Sequence, residues 1–197
     1  MRILLLSAVA ALALLPVAAG ASPVVVTVTG FDGRPLEGAV VTLAMPGVAA
    51  PVPRGPYVMK QQNIAFAPHI LIVPVGASVS FPNLDRVRHH VYSFSAPRKF
   101  DLKLYGREEN RSISFDRAGA VALGCNIHDA MNGVVYVVAT PYAAVTGADG
   151  RVRIDVDAAG RGTLSVWHPS IRASGNVLSQ PAAVGGAGLT TAVRLRR

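Results

Sequence analysis

Cysteine is nearly absent from this chain: Cys125 is the only one in 197 residues. A single thiol cannot close an intramolecular disulfide, so a disulfide-stapled scaffold is excluded. No apolar run reaches the roughly 20 residues that span a bilayer; the longest, Ile3 to Leu15, is 13 residues interrupted by Ser7. The sequence also lacks a Gly-x-Ser-x-Gly elbow, a glycine-rich phosphate loop and a His-Glu-x-x-His helix, which removes the common hydrolase, nucleotide and zinc-protease signatures. Aromatic residues make up only 6% of the chain and charged residues 15%, so basic stripes interleaved with aromatics, as nucleic-acid surfaces use, are missing as well.

What is present begins with a leader. Arg2 supplies a positive start, Ile3 to Leu15 an apolar stretch, Pro16 a break, and Ala19-Gly20-Ala21 a small-residue cleavage site before Ser22. Residues 1–21 are read as a secretory signal, which predicts a periplasmic protein that is not embedded in the membrane. No cysteine lies near the cleavage site, so a lipid anchor is not expected. After removal of the leader, 18 Lys and Arg face 11 Asp and Glu, a net charge of +7. The basic residues are scattered, which with export disfavours nucleic acid and leaves an acidic partner protein as the expected counterpart.

The rest of the chain reads as strand. Short alternating or β-branched runs occur at 24–29, 39–43, 70–73, 78–81, 90–94, 112–115, 134–138, 152–156, 164–167 and 192–195. Asp32-Gly33, Val75-Gly76, Ala118-Gly119, Asp149-Gly150 and Ala159-Gly160 punctuate them. This spacing predicts an all-β protein of one or two sandwiches. Residues 57–62 are read as an early strand with Met59 in the core, and the Gly/Ala/Ser-rich stretch 173–188 as a mobile loop.

Chemistry concentrates at Gly124-Cys125-Asn126-Ile127-His128-Asp129-Ala130-Met131. The C-x2-H-x2-M spacing lets one tight loop direct a thiolate, an imidazole and a thioether at one point, a donor set suited to copper. Zinc also accepts Cys and His, but a thioether is a poor fourth ligand for a structural zinc site. A further histidine is needed from elsewhere, and His89-His90 offer one. Neighbouring side chains of a strand point to opposite faces, so only one of the two faces the site. Asn83 and Asn126 are candidates to hydrogen-bond around the thiolate. Asp129 reads as a solvent-facing turn residue, and His69 and His168 as structural.

The run Phe81-x-Asn83-x-Asp85, a short loop and His89-x-Val91, followed by Cys125-x2-His128-x2-Met131, resembles the cupredoxin (blue-copper) family, with a ligand loop most similar to that of amicyanin. The wider pattern is similar to exported cupredoxin-like proteins labelled methylamine utilisation protein. The resemblance implies one copper ion in a type 1 site, with His89, Cys125 and His128 as strong ligands and Met131 as the long axial one. It departs from the family pattern at His90, where asparagine is usual, and at Leu123, where an aromatic is common. Val26 to Leu43 and Thr146 to Val166 resemble the two halves of a carboxypeptidase-regulatory-like (transthyretin-like) sandwich. The implied architecture is a Greek-key cupredoxin sandwich at 48–140 set within a second small Ig/transthyretin-like sandwich built from 22–47 and 141–197. The function implied is a periplasmic one-electron carrier with a redox partner protein; copper delivery, or a non-catalytic scaffold, is the alternative. Five histidines, two of them adjacent, do not supply a multicopper cluster, so an enzyme is not expected.

Overall fold

The computed structural model describes residues 21–107 and 109–196, so the leader expected over 1–21 lies outside the described residues except for Ala21. The first half of the chain forms β1 (Ser22–Thr29), β2 (Val40–Ala44), β3 (Tyr57–Val58), β4 (Lys60–Gln62), β5 (Ala65–Ala67), β6 (Ile70–Pro74), β7 (Ala77–Pro82) and β8 (His89–Ser93). The second half adds β9 (Phe100–Tyr105), β10 (Asn110–Phe115), β11 (Gly119–Gly124), β12 (Asn132–Val138), β13 (Tyr142–Val145), β14 (Arg151–Val156), β15 (Gly160–Trp167), β16 (Val177–Val184) and β17 (Leu189–Arg194). The protein is all-β, and the only helical element among the described residues is a single 3-10 turn at Ser174–Asn176.

Two pairs of sheets follow from the strand pairing. One pair is the five-stranded sheet β6-β12-β11-β8-β9 with the three-stranded sheet β10-β7-β3. Between them lies a core that includes Met59, Phe81, Tyr105, Phe115, Val121 and Val135. The parallel pairs β6/β12 and β3/β7 cannot be joined by tight hairpins, and their connections cross over as in a Greek key. In the other pair of sheets, β1 lies between β14 and β17, and β2 between β13 and β15. Strict alternation in β1 turns Val24, Val26 and Val28 into that second core. The Asp149-Gly150 turn closes against β1: Gly150 has φ +68°, and a Cβ there would lie 2.5 Å from the Val28 carbonyl oxygen, so no other residue fits without displacing backbone.

Strand β12 explains the unbroken apolar run Val134-Val135-Tyr136-Val137-Val138. Val135 and Val137 enter the core beneath the five-stranded sheet, whereas Val134, Tyr136 and Val138 pack on the opposite face with Val40 and Trp167. A strand buried on both faces has no polar alternation.

One expectation is overturned. The stretch 173–188 is not a mobile loop: residues 177–184 form β16, paired antiparallel to β15 from Val177↔Trp167 to Val184↔Gly160. Ala182 and Val184 are buried, and Pro181 is tolerated because β16 is the edge of its sheet. Small residues lowered the local strand signal, but a complete neighbouring ladder outweighs it.

Candidate metal centre

Strand β8 begins at His89, one residue before the run read from sequence, and its burial alternates. His89 is fully buried, whereas His90 lies on the opposite face with its side chain 12% exposed. Strand β11 ends at Gly124 and delivers Cys125, which is 4% exposed, to the same end of the core. The following turn is closed by the Met131 N–H donating to the His128 carbonyl at 2.8 Å. That turn brings half-buried His128 back over the cysteine and starts β12 just after buried Met131.

One ligand atom each from His89, Cys125 and His128 lie within 4.8 Å of one another. Donors on a single ion at bonds of about 2.0–2.3 Å fall within roughly twice that length of each other, so a spacing bounded by 4.8 Å is close to what one ion bridges, with a small inward adjustment of the side chains. The two imidazole rings stand 5.1 Å apart, edge to face. Nδ1 of His89 and Nδ1 of His128 are both buried without a hydrogen-bond partner. Two unpaired imidazole nitrogens beside a buried thiol would be costly as an end in themselves. Their free lone pairs, beside the thiol, are compatible with holding a metal ion. Met131 belongs to the same buried cluster as Cys125.

The other nitrogen of His89 is occupied. Nε2 lies 2.8 Å from Oδ2 of Asp85, so the carboxylate holds the ring with Nδ1 turned inward, the arrangement typical of metal-binding histidines. Asp85 is itself held by the backbone N–H groups of Asn63 and Ile64, at 2.8 and 3.0 Å. Burial pushes the Asp85 carboxyl up, but the donors from Ile64, His89 and Asn63 outweigh it and keep it below the usual carboxylate range. A depressed folded pKa adds stability that is present above the unfolded value of about 4 and lost as pH falls through the folded value. The urea midpoint of the metal-free protein should therefore fall on acidification below about pH 4, and Asp85→Asn should flatten that fall; an identical pH slope in the variant would contradict the role given to Asp85.

Asn83 does not reach the thiol. Its side-chain amide donates to the carbonyls of Val87 and Tyr105 at 2.9 and 3.1 Å, and its Oδ1 accepts the Asp85 N–H at 2.9 Å. It therefore shapes the loop that carries Asp85 and His89. Below it, buried Gln61 and Tyr105 hydrogen-bond to each other at 2.6 Å and both donate to the Phe81 carbonyl. Asn126 also turns away from the thiol, to Nδ1 of His90. Asp129 is exposed, His69 is exposed, and His168 pairs with Ser170 at 2.7 Å, so none of these joins the cluster. Sequence reasoning quoted Asp85 without assigning it work and passed over Asp101 and Tyr105. The signal that marks Asp85 in the sequence is a carboxylate four residues before His89, within reach of the imidazole nitrogen turned away from the cluster.

The fold and the cluster together define an all-β sandwich protein with a His–Cys–His group compatible with a type 1 copper site. No family profile and no curated protein matches the chain. Among solved structures it is similar to a purple cupredoxin from Nitrosopumilus maritimus, at 21% identity and TM-score 0.38, over 42% of this chain and 100% of that one. It is similar to a reduced amicyanin variant at 23% identity and TM-score 0.40, over 50% of this chain and 98% of that one. It is also similar to a copper-containing nitrite reductase from Thermus scotoductus SA-01 at 25% identity and TM-score 0.41, over 48% of this chain but only 25% of that enzyme. With TM-scores near 0.4, the donors themselves carry the chemistry that follows.

Proposed function

We propose that this chain is a periplasmic type 1 copper protein that carries one electron at a time and performs no catalysis of its own. The carrying observation is the convergence of two unpartnered, buried imidazole nitrogens on the protein's only thiol. His89, Cys125 and His128 would hold one copper ion, with Met131 as a weak axial donor. Copper bound to such a set supplies one-electron redox chemistry. The residues around it do the rest: Asp85 fixes His89, the packed core beneath keeps water from Cys125 and Met131, and half-buried His128 forms the edge nearest solvent. Exposed Ile127 beside His128, and exposed Leu84 and Val87 on the loop before His89, offer apolar contact to a redox partner. Arg86 and Arg88 on that loop, with the net charge of +7 after loss of the leader, suit an acidic one. In this reading residues 1–21 direct export, 48–140 form the copper-binding sandwich, and 22–47 with 141–197 form the sandwich that carries it.

Titration of the mature protein with Cu(II) tests the function. The expected result is one equivalent bound, an intense visible thiolate-to-copper band, and reversible cycling between the two oxidation states. Rapid reduction by the thiolate with Cu(I) retained would replace the carrier with a copper-delivery protein, and failure to bind stoichiometric copper would leave a scaffold with a vestigial site.

A further inference from the structure

We propose that His90 and Asp101 form a positioning pair that sets the separation of the two buried metal-site residues His89 and Cys125 from the outer face of the sheet; the metal-site part of this inference rests on the function proposed above. The argument starts from register. Strands β8 and β11 are antiparallel and pair at Tyr92↔Gly124, so the next positions toward the site set Val91 against Cys125 and His90 against Asn126. The backbone ladder between the two strands stops at that pair. Where it stops, a side-chain bond takes over: Nδ1 of His90 meets Oδ1 of Asn126. His90 directly follows His89 and Asn126 directly follows Cys125, so this one bond joins the backbones that carry the two buried donors.

The histidine does not act alone. Its Nε2 lies 2.5 Å from Oδ1 of Asp101 on β9. Asp101 is anchored by Lys103, whose N–H donates to Oδ1 at 2.8 Å and whose Nζ lies 2.6 Å from Oδ2. The Lys103 backbone is left-handed at φ 57°, and the β8/β9 register shifts between His90 and Tyr92. Such an irregularity re-aims a side chain locally, and here the strand departs from regular pairing at the place where Asp101 meets the imidazole. Tyr92, packed against Gly124, closes the other side: a Cβ on Gly124 would lie 2.7 Å from the tyrosine ring. The imidazole is thus held at both nitrogens between the cysteine turn and β9, and its plane is fixed without any contact to the donors themselves.

The test compares His90→Ala, His90→Asn, Asp101→Ala and the double alanine variant with the parent. In the copper-free protein, amide hydrogen exchange at Asn126 to Met131 should accelerate about tenfold in His90→Ala, the change that losing about 1.4 kcal/mol of local restraint produces. Asp101→Ala should accelerate the same amides although it touches none of the donors, and the double variant should go no further than His90→Ala. His90→Asn, which keeps the reach to Asn126 but not to Asp101, should match Asp101→Ala. In the copper-loaded proteins the same ordering should appear in the copper hyperfine splitting of the EPR spectrum. Unchanged exchange in both single alanine variants, or an effect of His90→Ala with none of Asp101→Ala, overturns the pair. If the parent binds no copper, the function proposed above fails while the exchange measurements still decide this inference; if His90→Ala does not fold, Asp101→Ala decides it.

Discussion

Cys125→Ser is expected to erase the visible band of the copper-loaded protein and with it the thermal stabilisation that copper confers. Serine is close to cysteine in size, and Cys125 lies at the end of the core at 4% exposure, so the fold should survive at a modest cost for burying a hydroxyl. The alcohol stays protonated near neutrality and offers copper no thiolate. No second cysteine replaces it. For the parent, a ligand present at 100 times its dissociation constant adds about 2.7 kcal/mol of stability, which raises the melting midpoint of a chain this size by roughly 5–10 °C. Absorption and melting curves with and without Cu(II) read both effects at once. A visible band that persists in Cys125→Ser would refute the thiolate ligand.

Trp167→Ala should be the most destabilising change far from the metal centre. The indole is 4% exposed and packs on Tyr136 with ring centroids 5.3 Å apart. It sits in the cluster that joins β15 and β2 to the outer face of β12. Large aromatic truncations in such sites cost about 3–5 kcal/mol, because lost burial adds to the cavity left behind. Urea unfolding monitored by far-UV circular dichroism should show that loss as a lower midpoint. The copper spectrum should stay as in the parent, since the donors lie on the other side of β12 among Val135 and Val137. A loss below about 1 kcal/mol would contradict the packing seen here.

Much of the architecture is local in origin and therefore readable from the chain. Val24, Val26 and Val28 alternate with Val25, Thr27 and Thr29, and the alternation alone predicts a half-buried strand. The glycine-punctuated, helix-free spacing predicts an all-β sandwich protein, and that is the fold. Where the local signal was weak the reading went astray. Residues 177–184 are rich in small side chains and contain Pro181, so only their pairing with β15 reveals a strand. Strand β9 differs: Phe100-Asp101-Leu102-Lys103-Leu104 alternates apolar and charged residues and carries a local strand signal, while its register shift against β8 and the left-handed Lys103 are features of pairing alone.

The site divides along the same line. That Cys125, His128 and Met131 share one short loop is a property of spacing, and the donor chemistry of that loop is readable from residue types. Which of two adjacent histidines turns inward is not, because a shift of one residue in where β8 begins exchanges its faces; pairing with β9 and β11 decides for His89. The partners of these residues were equally out of reach: Asp101 to His90, eleven residues apart, and Asn126 to His90, thirty-six apart, meet only because three strands align. By itself the sequence determined the all-β class and the loop that carries thiol, imidazole and thioether, since alternation and loop spacing are set by neighbours along the chain. Tertiary structure alone decided the inward histidine, the carboxylate that orients it and the brace behind the cysteine, because each depends on register between strands distant in sequence.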